Sequence, residues 1–484
     1  MSDAETAVSL RAAIRAARAL SAHTLVILDD DPTGSQLVHD VPVITSWDDD
    51  DLDWAFSQPG SAFFVLTNTR SLGGASAARL VSELADAVDD AASRHRRVVD
   101  FVLRGDSTLR GHFPLESDVL AERAQERGEP YDAIILVPAF PEAGRVTRDN
   151  VHLVTSGDDL VPVGLTDYAN DATFGFTSSD LREYVEEKTG GTTRAEDVVS
   201  IGLDDIRVGG PDDVAGILRG CHDRRPVVVN AMTAADLDVV ALGIWTAQRS
   251  GCRALIRCGP SFVGSLLGLD ARPPLSRDEI VPSSGPSGHG LIVVGSHVAL
   301  TGEQLDALRA RRGDSLTEVV LDVPRLVAGG APSTRARDAP AWEAEVARCA
   351  SSVAASIGHA DVLLVTSRTR VDGSDADGSL RIAREVSRAI VEVVARVVAS
   401  VVAIGWVVAK GGITSSDVAT KALGIRRAEI LGQMFPGQVS AWSCRTSERG
   451  GPDGVPYIVF AGNVGGPSSL ADVVDTLAGP ARAG

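Results

Sequence analysis

Short β-prone apolar runs alternate along this chain with alanine-rich helical stretches, and that alternation restricts the fold more than any other feature. The runs are Thr24–Leu28, Phe63–Leu66, Val98–Leu103, Ala133–Val137, Pro226–Asn230, Ala254–Arg257, Leu291–Val294, Asp361–Val365 and Val401–Ala409. Helical patterns between them include Ala75–Ala92, Gly302–Arg312 and Trp342–Ile357. Strands separated by helix-length segments belong to layers in which parallel strands are covered by helices. The expected fold class is therefore α/β, with two domains, each a largely parallel sheet flanked by helices. A chain of 484 residues exceeds what one core usually serves. The stretch Arg272–Gly290 is rich in Pro, Gly and Ser and suits an exposed connection. The expected division is a first domain over 1–275, a connection over 276–290 and a second domain over 291–484.

Composition narrows the partners. The chain is 44% hydrophobic and 23% charged, which is globular rather than disordered. A net charge of −19 argues against a nucleic-acid partner and against an anionic membrane surface. It does not argue against a small anion, which a local arginine cluster can hold. Lysine occurs only at Lys188, Lys410 and Lys421, against 43 arginines, so each lysine is conspicuous. The five cysteines are scattered with no Cys-x-x-Cys pair, as expected for reduced thiols of a cytoplasmic protein. Residues 5–20 read as an amphipathic surface helix and not as a signal peptide. The most apolar stretch, Ala389–Val408, contains Glu392, Arg396 and Gly405, and reads as a helix running into a strand rather than a membrane span.

In the first half, three strand runs end in polar clusters. Thr24–Leu28 leads into Asp29-Asp30-Asp31-Pro32-Thr33-Gly34. Three adjacent carboxylates repel one another, and Pro32 cannot continue a central strand. The plain reading is a solvated acidic turn; the functional ones are a site for a hydroxyl-rich ligand or for a metal ion. Val98–Leu103 leads into Arg104-Gly105-Asp106-Ser107-Thr108-Leu109-Arg110-Gly111-His112, which sets two arginines, a carboxylate and two hydroxyls close together. Phe63–Leu66 leads into Thr67-Asn68-Thr69-Arg70-Ser71. Arginine forks bind carboxylates, while Asp, Ser and Thr suit sugar hydroxyls. Ligands of open α/β sheets bind outside the carboxyl ends of the strands. Any one cluster passes for a capped turn; the three together point to a pocket for a polyhydroxy acid.

The second half is different. Its strand run at Val401–Ala409 leads into Lys410-Gly411-Gly412-Ile413-Thr414-Ser415-Ser416-Asp417. Glycines let backbone N–H groups approach phosphate oxygens, and a following helix presents its positive end. Ser415 or Ser416 as an ordinary helix N-cap is the alternative. Val294-Gly295-Ser296-His297 and the turn 460–466 with Gly462 are glycine-bearing strand ends of the same kind. The pattern suggests a small-molecule half and a phosphate-donor half. A P-loop, a dinucleotide fingerprint, Gly-x-Ser-x-Gly and His-Glu-x-x-His are all missing from the sequence. His112, His152 and His297 stand near polar turns as hydrogen-bonding neighbours.

These motifs resemble the four-carbon acid sugar kinase family. The likeness lies in Asp30-Asp31-Pro32-Thr33-Gly34, Asp106-Ser107-Thr108-Leu109-Arg110-Gly111, Pro138-Ala139-Phe140-Pro141 with Gly144-Arg145, and Gly411-Gly412-Ile413-Thr414-Ser415, spread in order between residues 24 and 470. Ile413 stands where many relatives carry an acidic residue, and Arg104 where some carry lysine. The resemblance implies an N-terminal sugar-acid domain, a C-terminal nucleotide domain and an active site in the interdomain cleft. It implies ATP-dependent phosphorylation of a hydroxyl on threonate, erythronate, 3-oxo-tetronate or a similar small acid, with Mg²⁺ on the nucleotide and no assignable protein ligand for it. By carry-over, Ser296, Gly411, Gly412, Ile413, Thr414 and Gly462 bind ATP. The turn with Asp30 and Asp31 and the loop with Asp106, Ser107 and Arg110 hold the acid; Arg70, Arg104 or Arg110 clamps its carboxylate. Asp30 or Asp31 serves as the base. The expected partners are the sugar acid and ATP, with room for a homodimer. A non-catalytic sensor and an effector-like interaction protein are the competing classes.

Overall fold

The computed structural model describes residues 3–21, 23–35, 37–157, 159–281, 288–295, 299–327, 340–368, 376–400, 403–435, 437–447, 454–462 and 464–479. Ser296, His297, Asn463 and residues 282–287 of the expected connection lie outside them. The chain divides into two compact units, Met1–Arg272 and Pro273–Gly484.

The first unit contains β1 (His23–Asp29), β2 (Val41–Ile44), β3 (Ala62–Leu66), β4 (Val98–Arg104), β5 (Ala133–Val137), β6 (Arg145–Arg148), β7 (Val151–Ser156), β8 (Asp159–Pro162), β9 (Val199–Ile201), β10 (Arg225–Val229) and β11 (Ala254–Cys258). Its main sheet has the order β2-β3-β1-β4-β11-β5-β10-β9, and every neighbouring pair is parallel. Val26, Ile27, Phe63, Phe64, Val102 and Leu255 are buried, as strands covered on both faces require. Helix Gly74–His95 sets Ala77, Val81, Leu84, Ala85 and Val88 on one stripe against the sheet. Helix Ala234–Gln248 starts at a capping box between Thr233 and Asp236. β6, β7 and β8 form a separate antiparallel sheet that the strand pattern did not announce.

After β1 the chain runs to β2 and β3 on one side, then crosses to β4 on the other. The order thus reverses beside β1, and the carboxyl ends of β1 and β4 flank the point where ligands of such sheets bind. The register brings Asp29 level with Leu66 and Arg104, Arg104 level with Cys258, and Cys258 level with Val137.

The second unit holds β12 (Gly290–Val294), β13 (Leu316–Leu321), β14 (Asp361–Thr366), β15 (Trp406–Lys410), β16 (Ile425–Phe435), β17 (Val439–Ser447) and β18 (Pro456–Phe460). The order is β13-β14-β12-β15-β18-β17-β16. The first five are parallel, and β17 and β16 add an antiparallel hairpin. Helix Ala376–Ala399 followed by β15 resolves the apolar stretch 389–408 as expected. Leu275 and Ile280, inside the stretch expected to be an exposed connection, are buried in this unit's core beside Ile292 and Met434. Among the described residues no helix is long and apolar enough to cross a membrane.

Candidate functional site

The three polar strand ends of the first unit form one ionic lattice. Arg104, at the end of β4, is 3% exposed. It donates to the carboxylate of Asp29 and to the carbonyl of Asp31, and lies 3.7 Å from Asp30. Its guanidinium fills the space beside Gly34, where any Cβ would collide with it. The glycine of the turn is therefore required by a close approach rather than by its dihedrals. Arg104, expected as a clamp for a ligand carboxylate, is instead an internal strut that compensates the acidic turn.

Arg70 grips Asp30 with a two-pronged fork, Nη2 to Oδ1 at 2.5 Å and Nε to Oδ2 at 3.2 Å, and places Nη1 3.5 Å from Asp31. Burial still lifts the Asp30 carboxyl to about 6, against the pull of Arg70. Asp31 caps the turn, its Oδ1 accepting from the Thr33 amide at 2.8 Å and hydroxyl at 2.5 Å, and it is the most exposed of the three aspartates. The acidic run is thus answered by arginines. Among the described residues no group of three or more His, Cys, Asp or Glu is arranged to hold a metal ion.

The loop after β4 is braced from several sides. Asp106 accepts from Thr108 and from Arg110 Nε at 2.7 Å; despite burial, Arg70 and Arg110 hold its carboxyl well below the usual range. Ser107 is buried, and its carbonyl lies 2.7 Å from His152 Nε2. A carbonyl cannot donate, so Nε2 carries the proton and Nδ1 accepts from Thr147 Oγ1 at 2.9 Å. Burial lowers His152 to about 4, so it stays neutral and braces the loop. His112 likewise donates to the carbonyls of Thr69 and Leu72.

Several residues of this lattice escaped the sequence reading. Glu116 accepts from Thr69 at 2.6 Å and from Arg257 at 3.1 Å, and both charged groups are buried. The Arg257 guanidinium packs under Gly105 and Gly111. The signal was an arginine at the polar end of an otherwise apolar strand, Ala254–Cys258. Arg145, at the start of β6, is bridged through its backbone to Phe140, which follows β5 at the same sheet edge.

In the second unit the register brings Val294 level with Lys410, and Lys410 level with Phe460. The glycine-bearing ends at Gly295, Gly411–Thr414 and Gly462 are therefore neighbours on one edge. Gly411 adopts φ +119 and donates its N–H to Phe460 O at 2.8 Å. The helix opens at Gly412, immediately after Gly411. Ser415 is no N-cap; its hydroxyl donates back to Ala409 O at 2.7 Å. Ile413 is 62% exposed, and Thr414 Oγ1 would touch a Cβ placed on Gly295.

Lys410 is fully buried, with Nζ donating to Ala461 O at 3.1 Å and lying 3.9 Å from the Phe460 ring centroid. Burial lowers it to about 7. A group with a depressed basic pKa makes the unfolded chain bind more protons, so its contribution raises stability with pH between about 7 and the unfolded value near 10.5. Denaturant titrations across that window should show a slope approaching about 1.4 kcal/mol per pH unit, absent in Lys410→Met.

A family model described as a sugar-binding N-terminal domain matches residues 25–266, and one described as a nucleotide-binding C-terminal domain matches 291–470. The chain belongs to the four-carbon acid sugar kinase family. Two solved structures share the family member's fold. One is a Salmonella typhimurium LT2 protein provisionally described as a tRNA synthase (18% identity, TM-score 0.65, 93% of this chain and 98% of that one). The other is Haemophilus influenzae protein HI1011, of family DUF1537 (16% identity, TM-score 0.60, 93% and 100%). No curated protein matches this kinase-family chain. The lattice at Asp29–Gly34 thus lies in the sugar-binding domain, and the glycine edge in the nucleotide-binding domain.

Proposed function

We propose that this protein is an ATP-dependent kinase that phosphorylates a hydroxyl of a four-carbon or similarly small sugar acid, such as threonate, erythronate or 3-oxo-tetronate. The supporting observation is the convergence of Asp31, Asp30, Arg70, Asp106 and Arg110 at the switch point of the sugar-binding domain's sheet. Carboxylates there accept from sugar hydroxyls, and arginines answer the acid.

The reaction needs positioning and charge neutralisation more than covalent chemistry. Asp31, whose Oδ1 is held by Thr33, offers its other oxygen to the attacking hydroxyl and takes up its proton as the hydroxyl oxygen bonds to the γ-phosphorus and the bond from that phosphorus to the β-phosphate oxygen breaks, releasing ADP. Asp30 holds Arg70 in place beside it. Gly412, Ile413, Thr414 and Gly462 hold the nucleotide through backbone N–H groups, Gly411, whose own N–H is given to Phe460 O, lets the phosphates approach, and Lys410 is buried behind them. When bound with the nucleotide, Mg²⁺ would supply charge neutralisation at the phosphates; no residue is assigned to it.

An ADP-release assay over these acids tests the reading. ATP-dependent turnover of at least one is expected; binding of acid and ATP without turnover would make the protein a sensor. In the same series, Gly412→Val should weaken ATP roughly tenfold or more by holding phosphate off the backbone. Unchanged nucleotide affinity would contradict the glycine-edge assignment.

A further inference from the structure

The arginines nearest the proposed sugar-acid site are mostly answered from within the protein. Arg104 is held by Asp29, Arg70 by Asp30 and Asp31, and Arg257 by Glu116. Arg110 has one nitrogen on Asp106, with Asp171 3.9 Å from another. Arg145 differs: among the described residues its side chain has no hydrogen bond and no carboxylate within 4 Å; its Nε is buried without a partner, as that of Arg104 also is. Its guanidinium lies 5.9 Å from the Phe140 ring centroid and 6.0 Å from that of Tyr168. Arg110 approaches the same Tyr168 ring at 5.2 Å. Two guanidiniums thus share one aromatic ring, and like charges so placed are best satisfied by an anion between them.

We propose that Arg145, together with the outer nitrogens of Arg110, receives the carboxylate of the sugar acid and so selects acids over neutral polyols. The assignment rests on the kinase reading for its substrate class. It moves the clamp away from Arg70 and Arg104, which are committed to the acidic turn. Arg145 is only partly buried, so its outer nitrogens, which have no hydrogen-bond partner among the described residues, are the donors a carboxylate would engage. The rings of Phe140 and Tyr168 lie within cation–π range of the guanidinium.

The test is calorimetric binding of threonate, erythronate and erythritol to the full chain. Arg145→Gln should weaken both acids roughly 10- to 100-fold and leave erythritol unchanged. Arg145→Lys should restore part of the loss, since it keeps the charge without the fork. Acid affinity unchanged in Arg145→Gln, equal losses for acid and erythritol, or no preference of the native protein for acids would each overturn the proposal. Should Arg145→Gln fail to fold by thermal melting, Arg145→Lys decides by the same acid-to-erythritol ratio. Selective acid loss in a protein that shows no ATP-dependent turnover would refute the kinase reading and leave this assignment standing.

Discussion

Asp31→Asn is expected to lower kcat for sugar-acid phosphorylation roughly 10²- to 10⁴-fold, with ATP affinity intact. Asparagine keeps the cap, because its side-chain oxygen can still accept from the Thr33 amide, so the turn persists while the acceptor for the hydroxyl proton is lost. The native rate should also fall as pH drops through about 6, where Asp30 takes up a proton and loosens its fork on Arg70. Because Asp30 is held above its unfolded value, its protonation favours the folded state; the acid loss is therefore one of activity, not of stability. Steady-state kinetics from pH 5 to 8 check both points. Full activity in Asp31→Asn would remove Asp31 from the chemistry.

Arg104→Met is expected to cost about 3–5 kcal/mol of stability, because it leaves Asp29 buried without its counter-charge. A ligand clamp would behave differently: KM would rise while the denaturation midpoint held. Urea unfolding with parallel kinetics separates the two. A midpoint equal to the native one would refute the strut. Arg104→Lys should recover part of the loss, since one nitrogen serves both the Asp29 carboxylate and the Asp31 carbonyl and an ammonium has donors for both, while the smaller head leaves space beside Gly34.

Much of this was legible in the chain. The apolar runs marked β1, β3, β4, β5, β10, β11, β12, β14 and β15, since fully covered strands need uninterrupted apolar sequence, but not the parallel strands β2, β9, β13 and β18. The carboxyl-end clusters at 29–34, 67–71 and 104–112 were visible as clusters. What they do to one another was not. Whether Arg104 points outward or under Gly34 depends on the register of β1 against β4, and sequence adjacency does not carry that register. Glu116 and Arg257 lie 141 positions apart and meet only through the strand order. β6–β8 and the β16–β17 hairpin were missed because their strands are short or half-polar, with no continuous apolar run to mark them.

The antiparallel β6–β8 sheet separates what the pocket must keep from what it can change. The pairs Asp29–Arg104, Asp30–Arg70 and Glu116–Arg257 each join two elements, so a single substitution there strands a charge on a neighbour. Arg145 is anchored by its backbone and by ring contacts, and leaves no acid behind when replaced. Change in ligand preference therefore has its open route through the appended sheet, while the acidic turn at the switch point is held constant by its own arginines.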